Sequence, residues 1–179
     1  MSYTSKRAHF KSSRVVTLGE IDTETANEVI QLIYDINEED NKKTQREPIK
    51  LIINSGGGDV YSGFALIDLI SNSQTPVHTV CYGAAMSMAL VVFVAGHYRL
   101  ASQNATFMYH EAAYPIEGKV KHHKQELKET ERIDTLCDSF LLSKTKLPKK
   151  KLLDTKNKQG EWYFDVEVAY KYGVVNKIL

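Results

Sequence analysis

The chain has 179 residues, of which 42% are aliphatic or aromatic and 25% are charged, with 23 Lys and Arg against 22 Asp and Glu for a formal net charge of +1. That length buries a core without disulfides or metal, and that composition belongs to a globular protein rather than a disordered one. The balanced charge offers no field to gather nucleic acid or an anionic membrane. Two distant cysteines, Cys81 and Cys137, make neither a disulfide framework nor a Cys-rich zinc site. The expectation is a cytoplasmic protein with reduced thiols and no metal or cofactor.

Residues 1–13 are polar and basic with no apolar segment behind them, so they read as a flexible arm without a secretory signal. A single domain is expected over 14–179. A short strand over 14–18 closes at Gly19. Asp22 or Thr23 then caps a helix that keeps Ala26, Val29, Ile30, Ile33 and Ile36 on one face. The charged segment 38–47 reads as an exposed loop. An apolar strand over 49–53 leads through a glycine turn into an amphipathic helix over about 60–70, and a strand over 77–82 leads through a small-residue turn over 83–87 into the most apolar run, 89–95. That run is far short of the ~20 residues that span a bilayer and reads as a helix buried on all sides. Short strands follow at 98–101 and 106–109, then a long charged helix over 119–143 with Leu127, Ile133, Leu136, Phe140 and Leu141 as its apolar stripe. Two short helices, 149–155 and 166–172, and a strand over 174–178 complete the chain. Strands alternating with helices imply right-handed crossovers and a mainly parallel sheet, with sites at the carboxyl ends of its strands.

Three stretches carry chemistry. Asn54-Ser55-Gly56-Gly57-Gly58-Asp59 joins a strand to a helix, and its glycines let the backbone approach another group or aim an N–H at a developing oxyanion. It matches neither the dinucleotide fingerprint nor the phosphate loop. Gly83-Ala84-Ala85-Met86-Ser87-Met88 places a serine where a strand turns into an apolar helix, beside free N–H groups and positive potential. By itself such a serine reads as a helix cap; in company it reads as a nucleophile. Thr106-Phe107-Met108-Tyr109-His110 ends a strand on a histidine, which beside that serine becomes a general base.

In this order the three stretches resemble the proteolytic subunit family of the Clp protease, whose pattern runs Asn-Ser-Pro-Gly-Gly, then Gly-x-Ala-Ala-Ser-Met, then Met-x-His. The matches are 54–58, 83–88 and 108–110, and 169–175 is similar to the family's segment around Tyr-Gly-Leu-Val. The resemblance implies an α/β fold of repeated β-β-α units, the ClpP/crotonase-like fold, with a protruding helical handle. It implies a serine endopeptidase acting on unfolded or small polypeptides, with Ser87 as nucleophile, His110 as base and the backbone N–H groups of Gly58 and Met88 as the oxyanion hole. Counting back from Tyr172-Gly173, Glu161 stands where the family has its catalytic aspartate; Asp154 and Asp165 are the rival acids.

The same resemblance implies a ring-shaped homo-oligomer and an AAA+ unfoldase as partner. Against that dock, the N-terminal segment is short for the family's pore loop, and Lys50 and Ile52 stand where docking tyrosines are expected. Other departures are Gly56 for the family's proline, Ala89 for a glycine, and Glu111-Ala112 for Gln-Pro after the histidine. His122 and His123, in the basic run 119–124, are a solvated helix face or a pH-sensitive ring contact. Two other functions remain open: a crotonase-like acyl-CoA enzyme using the same N–H pair, and a catalytically impaired ring or scaffold subunit.

Overall fold

A computed structural model describes residues 14–113 and 120–179. The arm over 1–13, Lys119 and the side chains of 120 and 121 lie outside the described residues. In chain order the elements are β1 (Val15–Leu18), α1 (Thr23–Glu39), β2 (Ile49–Ser55), α2 (Val60–Asn72), β3 (Val77–Met86), α3 (Met88–Ala95), β4 (Tyr98–Ala101), β5 (Thr106–Tyr109), α4 (Val120–Lys144), α5 (Lys149–Asn157), β6 (Trp162–Asp165), α6 (Val166–Lys171) and β7 (Lys177–Ile178). The expected alternation and mainly parallel sheet are found.

Strands β1-β2-β3-β4-β7 lie side by side and parallel. The long strand β3 serves two partners in succession. Its first half pairs with β4, His78 to Cys81 against Tyr98 to Ala101, and its second half pairs with β5, Ala84 to Met86 against Thr106 to Met108. Strand β6 then adds to β5 antiparallel. Strand β3 therefore continues through the stretch expected to be a small-residue turn. Gly83, at φ 87°, redirects the strand, and β5 supplies the ladder that small residues cannot secure by propensity.

Helix α1 starts at Asp22, whose carboxylate accepts from Thr25 N at 2.8 Å while Thr25 Oγ1 accepts from Asp22 N. It buries Ala26, Val29, Ile33 and Ile36, as their spacing requires. The segment 38–47 departs from an exposed loop at its start: α1 runs through Glu39, and Asp40 is fully buried. Its carboxylate takes the Arg14 guanidinium at 2.6 and 2.8 Å, Lys43 at 2.7 Å and Thr75 Oγ1 at 3.1 Å. The Arg14 hydrogen bond holds the Asp40 carboxyl well below the usual carboxylate range.

Every side chain of α3 is buried, against β3, α2 and α4. Burying each Val, Leu or Phe there stabilises the fold by roughly 1.5–3 kcal/mol. Gly63 lets α2 close on α3, since a Cβ there would run into the Met88 side chain. Helix α4 packs through Ile133, Cys137, Phe140 and Leu141, whereas Leu127 and Leu136, expected in its apolar stripe, are 48% and 43% exposed. Its outer half, 122–132, is largely exposed. At the end of the chain only Lys177–Ile178 pairs with β4, because the N–H groups of Val174 and Val175 turn back to close α6 on Ala169 O. No helix among the described residues is long and apolar enough to cross a membrane.

Candidate active site

The site forms where β2, β3 and β5 end. Ser55 pairs with Ala85, and Met86 pairs with Met108, so these three neighbouring strands deliver the glycine turn, Ser87 and His110 to one place. Ser87 N donates to Met108 O at 2.9 Å, locking the serine turn onto the strand that carries the histidine. Ser87 Oγ and His110 Nε2 lie 2.7 Å apart, within hydrogen-bond distance. Ser87 makes no helix-capping side-chain bond. Its backbone sits at φ 53°, ψ −128°, a conformation that a non-glycine residue adopts only at a cost of ~1–3 kcal/mol and that is found where function demands it.

The glycine turn is built against this elbow. Asn54 Oδ1 accepts from Ala84 N at 3.2 Å, and Ser55 Oγ accepts from Gly57 N at 3.1 Å. Gly57 and Gly58 have φ of 114° and 139°. A Cβ on Gly57 would lie 2.7 Å from Ser87 Cβ and 3.2 Å from Met88 N; one on Gly58 would run into Ile21 O. Gly56 has open space where a Cβ would stand, at the position where the family carries proline. Asp59 N and Ile21 N bind the chain on either side of Gly58, through Ile21 O at 2.7 Å and Gly57 O at 2.9 Å. Among the described residues neither Gly58 N nor Met88 N is given to an acceptor, and Met88 opens α3, whose first N–H groups have no partner within the helix.

A slot opens beside Ser87 and His110, lined by Val60, Met88, Val91, Ile133, Cys137 and Leu141 and rimmed by Glu111 and Asp134. Burial pushes the Cys137 thiol up to about 12. Cys81, also pushed to about 12 by burial, lies within the core.

The three candidate acids are placed very differently. The ladder between β5 and β6 ends at the pair Tyr109 and Trp162, the chain neighbours of His110 and Glu161. The Glu161 carboxylate accepts from the Tyr163 hydroxyl at 2.7 Å, a bond that raises the Tyr163 pKa. Asp165 lies at the other end of that ladder, opposite Thr106, and caps α6 by accepting from Val168 N at 2.9 Å. Asp154 projects from the exposed side of α5. Sequence reasoning missed β6 itself, and with it a polar cluster of Asp134, Asp138 and Lys156 behind Tyr109. Those residues come from separate segments, and only the fold unites them.

The chain matches the family model described as Clp protease over residues 1–179. It is 30% identical over 170 residues to the ATP-dependent Clp protease proteolytic subunit of Deinococcus radiodurans, covering 93% of this chain and 80% of that protein. It is also 30% identical over 169 residues to the protein of the same description from Dehalococcoides mccartyi, covering 93% and 82%. Full-length likeness, together with a mixed sheet whose parallel strands set three family motifs side by side, makes this chain a member of the Clp protease family.

Proposed function

We propose that the protein is a serine peptidase with Ser87 as nucleophile, His110 as general base and the N–H groups of Gly58 and Met88 as the oxyanion hole. The observation that carries this reading is the 2.7 Å approach of Ser87 Oγ to His110 Nε2 at a strained elbow. With the proton on Nδ1, the neutral imidazole leaves Nε2 free to take the Ser87 proton as Oγ attacks a peptide carbonyl. The carbonyl oxygen becomes an oxyanion, and two preorganised N–H groups hold it better than they hold the ground-state carbonyl. His110 then gives its proton to the leaving amine, and water releases the acyl group by the reverse path. An acyl-CoA reaction on the same N–H pair has no use for the Ser87–His110 approach, and a mere scaffold has no use for strain at Ser87.

Glu161 is the acid we assign to Nδ1 of His110. Its chain neighbour Trp162 pairs with Tyr109, the neighbour of His110, which supports this, although its carboxylate is held by the Tyr163 hydroxyl. The substrate is an extended polypeptide lying beside the glycine turn, bound by main-chain hydrogen bonds that select little sequence. Its residue next to the scissile bond would enter the apolar slot. The relatives are named as proteolytic subunits of an ATP-dependent protease. By that likeness we place this chain in a ring of copies in the cytoplasm, fed by an AAA+ unfoldase or by small substrates without one. Lys50 is exposed on β2 and Ile52 half-buried, so that strand presents no tyrosine to such a partner.

The test is cleavage of short fluorogenic peptides by the purified chain. Ser87→Ala should lower turnover by about 10⁴-fold or more with its elution in size exclusion unchanged. Undiminished cleavage by that variant would overturn the reading.

A further inference from the structure

Behind the base lies a cluster of charges that the peptidase reading does not use. Asp134 and Asp138 stand one turn apart on α4, and Lys156 reaches them from the last turn of α5. Lys156 Nζ donates to Asp138 Oδ2 at 2.6 Å and to Asp134 Oδ2. The other oxygen of each carboxylate binds the segment carrying the histidine. Asp138 Oδ1 accepts from the Tyr109 hydroxyl at 2.6 Å, and Asp134 Oδ1 accepts from Ala112 N at 3.1 Å. All four carboxylate oxygens are thus occupied, and the residues on both sides of His110 hang from a single ammonium group.

The cluster is largely withdrawn from water, with side-chain exposures of 15% for Lys156, 21% for Asp134 and 18% for Asp138. Burial works against the Lys156 charge, but the hydrogen bonds to Asp134 and Asp138 outweigh it and raise its pKa. Burial and the Asp138 carboxylate together push the Tyr109 phenol far above its ordinary value. Apolar residues of equal volume would hold these elements together about as well, because the desolvation of buried ion pairs offsets most of their attraction. What hydrogen-bonded charges add is direction. Lys156 also begins the passage to the acid: Gln159 N bonds to Lys156 O at 2.7 Å and Gly160 N to Thr155 O at 3.1 Å, turning the chain from α5 towards Glu161.

We propose that Lys156, through Asp134 and Asp138, is a positioning residue for the catalytic base, holding residues 109–112 so that His110 Nε2 stays on Ser87 Oγ. This rests on the peptidase reading. Lys156 touches no reacting atom and acts through the strand end that bears His110.

The test compares wild type, Lys156→Met, Lys156→Arg, Tyr109→Phe and, as a control on the same helix, Arg132→Gln, which breaks only an exposed pair with Glu129. Rates are expressed per site titrated with a fluorophosphonate, alongside thermal unfolding. Lys156→Met should lower kcat about 10-fold to 100-fold, the cost of misplacing a reacting group by a fraction of an ångström to an ångström. Its KM should stay within about two-fold, because the substrate slot is kept. Lys156→Arg should recover most of the loss, and Arg132→Gln should match wild type. Tyr109→Phe keeps the ring, removes one bond to Asp138 and should lose less. If Lys156→Met does not fold, Tyr109→Phe decides alone: a reduced kcat supports the proposal and a wild-type kcat overturns it. A lower melting temperature with wild-type kcat per titrated site would reduce the cluster to a structural brace and overturn the proposal. A wild-type chain that does not react at Ser87 would overturn the peptidase reading and this one together.

Discussion

The two halves of the site are framed by opposite kinds of surroundings. Ser87 stands immediately before α3, all of whose side chains are buried, and is pressed from the front by a glycine turn with no room for a Cβ at Gly57. His110 follows a four-residue strand, and Tyr109 before it and Ala112 two residues beyond it are both tied to half-buried charges. The proposed nucleophile is therefore placed by close packing and backbone strain, which tolerate almost no change of volume. The proposed base is placed by directional polar bonds, which tolerate a change of volume but not of charge or geometry.

That contrast fails or sharpens on specific substitutions. The largest effect is expected at Gly57→Ala, where the new methyl would sit 2.7 Å from Ser87 Cβ on a backbone at φ 114°. The turn must shift and carry the Gly58 N–H away from the oxyanion, so kcat should fall by about 10²–10³-fold, the cost of one lost donor. Steady-state kinetics beside a melting curve would check this, and a fully active Gly57→Ala would show that the nucleophile side is not packed as described. The smaller effect is expected at Glu161→Gln, which keeps volume and loses charge at an exposed site. A fall in kcat of about 10-fold to 100-fold would fit a solvent-accessible carboxylate that orients His110 and stabilises its imidazolium. An unchanged kcat would take the acid's role away from Glu161 and leave His110 oriented by its neighbours alone.

The parts of this architecture that were legible in sequence are those decided locally. Asp22 caps α1, β2 and α2 begin where the apolar pattern puts them, and β4 and β5 have the expected bounds. Ser87 and His110 were readable because a turn and a strand end present them, and the fold sets them 2.7 Å apart. What was not legible depends on partners distant in sequence. The extension of β3 through Gly83, Ala84 and Ala85 exists because β5 pairs with it, and Trp162–Asp165 is a strand because β5 has a free edge there. Leu127 and Leu136 carry a helical spacing that no other described residue covers, so their exposure could not be foreseen from periodicity. The Lys156 cluster joins residues from three segments, and no local pattern marks it. Glu161 is the intermediate case: its count from Tyr172-Gly173 proposed it, and the strand register brings its neighbour Trp162 to Tyr109, while its carboxylate is bound to Tyr163.

The most direct measurement is covalent labelling of the native protein with a fluorophosphonate, followed by peptide mapping by mass spectrometry, for wild type and His110→Ala. Activation of Ser87 by His110 predicts one adduct, on Ser87, forming at least about 100-fold more slowly in the variant, within the range that general-base catalysis supplies. An adduct elsewhere, or one on Ser87 that forms equally fast without the imidazole, would contradict the account.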